Sequence, residues 1–118
     1  MTWHRSGILI TAAAVVLAAC GGPFRKPAQA PHEIRLTEKE WAIEPKNARV
    51  AAGMVTITVI NQGTVEHNFV IERVVTIERI QPRESKAVQV NLSPGTYQLL
   101  CTLPGHREAG MTAILRVE

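Results

Sequence analysis

The 118-residue sequence has no Asp, so all ten acidic side chains are Glu, and it has only two Cys and five aromatic residues. Two cysteines rule out a disulfide framework, and the sequence has no Cys-x-x-Cys-His haem motif. At 4% aromatic, any core must be built from Val, Ile and Leu. No block of like charge occurs either. The 13 Lys and Arg are scattered, with only Arg25-Lys26 adjacent, so no nucleic-acid partner is expected despite the net charge of +3. At this length one compact domain is expected, and a two-domain enzyme is not. The chain is 46% hydrophobic and 19% charged, which separates it from a disordered protein.

The N-terminus has the order of an export signal. Arg5 precedes Gly7 to Ala19, an uncharged and mostly apolar run, shorter than the ~20 residues a spanning helix needs. The run closes on Leu17-Ala18-Ala19-Cys20 and then Gly21-Gly22, which resembles the lipobox of bacterial lipoproteins, where the Cys is lipidated and becomes the first residue. The alternative is an ordinary secretory signal with Cys20 merely nearby; either way the protein is exported. The expected organisation is a lipoprotein signal peptide over 1–19, a lipid-anchored tether over 20–32 and one domain over 33–118. The tether carries Pro23, Pro27 and Pro31 with two glycines, as a flexible spacer requires.

Removing 19 residues leaves 99 and lowers the net charge to +2, since Arg5 goes while every Glu stays. If Cys20 is consumed by lipid, Cys101 has no partner for a disulfide. A lone thiol outside the cytoplasm needs burial, or a role as ligand or nucleophile.

Beyond the tether the hydrophobic period is two. Ile34 and Leu36, then Trp41 and Ile43, alternate with polar neighbours, and Met54 to Ile60 is rich in β-branched residues between Gly53 and Asn61-Gln62-Gly63. Further strands are expected over 68–72, 74–78, 87–92, 96–101 and 112–117. Turn chemistry at Gln81-Pro82, Ser93-Pro94-Gly95 and Pro104-Gly105 separates them. Seven or eight short strands without a substantial helix predict an all-β, Greek-key antiparallel β-sandwich. Trp41 is expected to anchor the core, and Tyr97 to hydrogen-bond backbone at a corner.

The segment Cys101-Thr-Leu-Pro-Gly-His106-Arg-Glu-Ala-Gly-Met111 joins the last two expected strands. It holds a thiol, an imidazole and a thioether at equal spacing, and His67 heads an earlier strand. Two imidazoles and a thiolate with a weak axial thioether are the donor set of a blue-copper electron-transfer site. Thiolate and thioether favour Cu(I) while imidazole suits both oxidation states, so a geometry between their preferences lets copper change charge with little rearrangement. Taken singly, Cys101 could be an inert buried thiol and Met111 a core residue opening the last strand. His32 falls in the tether and Met54 in an alternating strand, so neither joins the pattern.

The His67-Asn68 pair, the run Pro94-Gly95-Thr96-Tyr97 leading to Cys101, and the Cys-x4-His-x4-Met loop resemble the cupredoxins over roughly residues 33–118. The loop spacing is most like rusticyanin and sulfocyanin. The resemblance implies one type 1 copper held by His67, Cys101 and His106 with Met111 on the axis. It also implies that Asn68 ties the two ligand loops together and offers its backbone N–H to the Cys101 sulfur. Leu99-Leu100 stand where many relatives place aromatics, so no aromatic electron route is carried over. Redox partner proteins at the membrane are expected to dock near His106, beside Leu103 and Pro104, with the lipid on Cys20 as anchor and the protein a monomer.

The function expected is one-electron transfer on the extracytoplasmic face of the membrane, and not enzymatic catalysis. A copper carriage or delivery module is the alternative. Delivery sites lean on several Met residues, whereas only Met54 and Met111 follow Cys20. Catalytic copper centres need more His ligands than this chain supplies, and no Cys-x3-Cys dinuclear loop occurs. Zinc would also fit two His and one Cys.

Overall fold

The computed structural model describes Gly22 and residues 28–118. The expected signal peptide, Cys20 and most of the tether lie outside the described residues. At the end of the tether, the carbonyls of Pro31 and His32 accept the N–H groups of Ala51 and Thr56, so the chain is already fastened to the sheets there.

Nine strands follow: β1 Glu33–Lys39, β2 Ala42–Glu44, β3 Asn47–Val50, β4 Gly53–Asn61, β5 His67–Ile71, β6 Val75–Ile80, β7 Ser85–Leu92, β8 Gly95–Leu100 and β9 Thr112–Val117. A single turn of helix, α1 His106–Ala109, interrupts the last connection. The strands form two sheets, ordered β2-β1-β4-β7 and β3-β9-β8-β5-β6.

The sandwich expected from the period of two is present, and its pairing is mixed. β1 runs parallel to β4, with Glu33 opposite Thr56 and Glu38 opposite Asn61, and β3 runs parallel to β9. After β2 the chain crosses to the second sheet as β3 and returns as β4, so β4 enters beside β1 in the same direction. Alternation records which face of a strand is buried but not which way it runs.

β4 shows the alternation most clearly: Val55, Ile57 and Val59 are fully buried while Met54 is exposed. Burying each such side chain contributes about 1.5–3 kcal/mol. Leu36 from the neighbouring β1 lies beside them, and Phe69 and Ile71 from β5, Leu99 from β8 and Leu115 from β9 fill the core from the opposite sheet. Phe69 is the one aromatic among the buried core residues described, and Cys101 and Met111 bring sulfur into an otherwise aliphatic cluster. The Tyr97 hydroxyl donates to the Ser93 carbonyl at 2.8 Å, closing the corner before β8 as a late-strand Tyr in such sandwiches does.

Candidate metal centre

Two local features bring the donors together. In β5 the register against β6 shifts between His67 and Phe69, a bulge that re-aims side chains. His67, Asn68 and Phe69 are therefore all buried in succession, where a regular strand would expose every second residue. In the segment 101–111, β8 and β9 pair up to Leu100 opposite Thr112. Beyond that rung the Cys101 N–H donates to the Met111 carbonyl at 3.1 Å, and the Met111 N–H donates to the His106 carbonyl at 3.1 Å. Gly105 and Gly110 take positive φ, 81° and 123°, conformations that favour glycine. They bracket α1 and fold the loop back on itself.

The donors converge as a result. His67 Nδ1 lies 3.2 Å from His106 Nδ1, and Cys101 Sγ lies 3.4 Å from the same His106 atom. All three donor atoms are within 4.8 Å of one another. Separations of this size suit side chains sharing one ion at bond lengths of about 2.0–2.3 Å. His67 and Cys101 are fully buried, while His106 is half-buried. Met111, at the far end of the loop, is fully buried and joined through its backbone to both Cys101 and His106.

The buried environment shifts the protonation of the donors. Burial pushes the Cys101 thiol above its usual range, and the backbone N–H groups of Asn68 and Leu103 at the sulfur offset part of that shift. Burial likewise lowers the His67 pKa, helped by the neighbouring His106, which favours the neutral imidazole, the form that ligates metals. Asn68 links the two ligand segments: its Nδ2 donates to Thr102 Oγ1 at 2.8 Å, and the Thr102 N–H donates to Asn68 Oδ1 at 2.7 Å.

The turn between β1 and β2 supplies two residues that the sequence pattern did not assign to the site. Trp41, expected in the core, is 43% exposed and packs edge-on against His106, with ring centroids 4.6 Å apart. Glu40 Oε1 lies 3.3 Å from His67 Nε2. An aromatic residue in an aromatic-poor chain was the one signal of this, and nothing in the spacing tied residues 40–41 to 67 or 106.

The comparisons with known proteins agree with this fold. The sequence profile of the cupredoxin-like domain matches residues 8–113. Among solved structures, dithionite-reduced auracyanin from Roseiflexus castenholzii is similar in fold, with a TM-score of 0.69 and 24% identity over 75% of this chain and 98% of that one. Auracyanin A, a "blue" copper protein from Chloroflexus aurantiacus, has a TM-score of 0.64 and 22% identity over 75% of this chain and all of that one. An azurin from Methylomonas sp. strain J has a TM-score of 0.63 and 17% identity over 73% and 97% of the two chains. No curated protein matches by sequence. The chain belongs to the cupredoxin-like domain family, with its His67, Cys101 and His106 cluster positioned for a single copper ion.

Proposed function

We propose that the protein is a mononuclear blue-copper electron carrier, non-enzymatic, exported and held by lipid on Cys20 at the extracytoplasmic face of the membrane. The observation that carries the electron-transfer reading is the convergence of two imidazole nitrogens and one thiol sulfur within 4.8 Å, with His67 and Cys101 buried and His106 half-buried. In this reading His67, Cys101 and His106 would hold the copper, with Met111 as a fourth, weaker donor. The domain begins near residue 33 and is spaced from the membrane by the segment 20–32. The lipobox-like sequence before Cys20 supports the anchor.

Bound copper supplies a one-electron Cu(I)/Cu(II) couple. The protein's part is to hold the donors in a fixed arrangement and keep water from them. Two strand-anchored segments, bridged by Asn68 and Thr102, resist the shifts that a change of copper charge would otherwise drive, and this keeps reorganisation small. Loading requires the Cys101 proton to leave, because the thiolate is the ligand. His106, half-buried beside Leu103 and Pro104, is where a partner protein would meet the site.

The test is visible absorption of the full chain in detergent, loaded with Cu(II) and reduced with ascorbate. An intense copper-thiolate band that bleaches and returns on reoxidation is expected. A colourless protein with verified copper content would overturn electron transfer in favour of carriage or delivery. Met111→Leu should keep the colour and raise the potential, through loss of a weak donor. Unchanged lipid labelling in Cys20→Ala would refute the anchor.

A further inference from the structure

We infer that Glu40 is a positioning residue for the metal centre: its carboxylate fixes the His67 ring through Nε2 and biases the site towards the oxidised ion. This rests on the reading of His67 as a ligand.

An imidazole that binds metal through Nδ1 carries its proton on Nε2, and metal-binding histidines almost always donate that second N–H to a carboxylate, a carbonyl or water. His67 turns Nδ1 towards Cys101 and His106, and its Nε2 is buried without a hydrogen-bond partner. The Glu40 oxygen stands 3.3 Å away and is the acceptor such a proton would find.

Glu40 is itself held in place. Its Oε1 accepts the N–H of Thr64 at 2.7 Å and that of Val65 at 3.1 Å, both in the segment leading into β5. Gly63 has no side chain, and a Cβ there would overlap the Glu40 carboxylate. The carboxylate thus spans from the end of β1 to the approach of His67 and meets the ring from the side opposite the donors. The next residue, Trp41, lies against the other imidazole, so one turn braces both rings.

A carboxylate this close to a ligand ring adds negative charge to the site. Negative charge stabilises Cu(II) more than Cu(I), so the carboxylate lowers the potential without touching the ion. Partners of this kind typically change metal affinity by about 10–100-fold when removed.

Glu40→Gln is the informative substitution, because the amide oxygen can still accept from Thr64 and Val65 while the charge is gone. The control is Glu44→Gln, which removes an equal charge from an exposed residue paired with Lys39. The full chain of each variant is loaded with copper and poised against redox mediators, and Cu(II) affinity is read by chelator competition. Expected for Glu40→Gln is a retained blue band, Cu(II) affinity lower by about tenfold or more, and a Cu(I)/Cu(II) ratio raised severalfold at a fixed poise. Glu44→Gln should move neither quantity beyond about twofold. Equal effects in the two variants, or none in Glu40→Gln while the parent is blue, would overturn the role of Glu40. Absence of the blue band in the parent would overturn the copper reading itself.

Discussion

The two ends of the sandwich obey different rules. Towards the end where β4 begins and β9 finishes, the interior is Val50, Val55, Val90, Leu92 and Val117, each on the inward parity of its strand. The buried polar residues Glu38, Asn61, His67 and Asn68 lie at the other end, where β1 and β4 finish and β5 begins. One end therefore supplies hydrophobic driving force without specific chemistry, and the other gives up part of that force to hold donors in place. Glu38 and Asn61, opposite each other in register, show how uneven this second region is. Asn61 is bonded to Val65, Ile80 and Gly63, whereas both Glu38 oxygens are buried without a partner and its pKa is raised to about 8.

The division is tested first by the substitution of largest expected effect. Cys101→Ser should abolish the copper-thiolate band altogether, and survival of colour would sink the ligand assignment. The next effect comes from Glu38. Burial raises its pKa, so the folded state holds the proton more tightly than the unfolded one, and stability falls as pH rises from about 4.5 through about 8. The loss across that window is up to about 5 kcal/mol, and Glu38→Gln should remove this slope in chemical denaturation; an unchanged slope would show the carboxyl to be solvated.

At the apolar end, Leu92→Ala should cost about 2–5 kcal/mol while the copper-loaded protein keeps its spectrum. A changed spectrum would break the separation between the two regions. The lowered pKa of His67 has the sign opposite to that of Glu38. The unfolded chain binds this proton first, so the metal-free protein should lose stability as pH falls below about 6.5, by thermal unfolding, and His67→Asn should flatten that dependence. The smallest effect belongs to the exposed Arg49–Glu118 pair: Arg49→Ala should change stability by about 1 kcal/mol or less and leave the potential unmoved.

The same two regions differ in how far they were legible. The β4 alternation, the turn residues and the spacing of Cys101, His106 and Met111 are local, and His67 was found because its donor type is scarce after the tether. β3 was missed: it is four residues long, and its support is the parallel pairing of Ala48 with Leu115, a contact no local pattern encodes. Glu38 shares inward parity with Leu36, so a charge on the core face was visible in principle. Glu40 and Trp41 were not, because their roles depend on where a turn lands in space.

The ligand segment 101–111 is, in topological terms, the loop of a β-hairpin. Its strands are zipped from Gly95 opposite Val117 to Leu100 opposite Thr112, and the Cys101 to Met111 backbone bond is one more rung. Residues 102–110 can therefore be lengthened, shortened or exchanged without disturbing the ladder beneath them. Of the proposed donors, His106 belongs to that replaceable cap, Cys101 and Met111 to the rung beneath it and His67 to the frame, so variation in the cap can retune the centre while the sandwich stays the same.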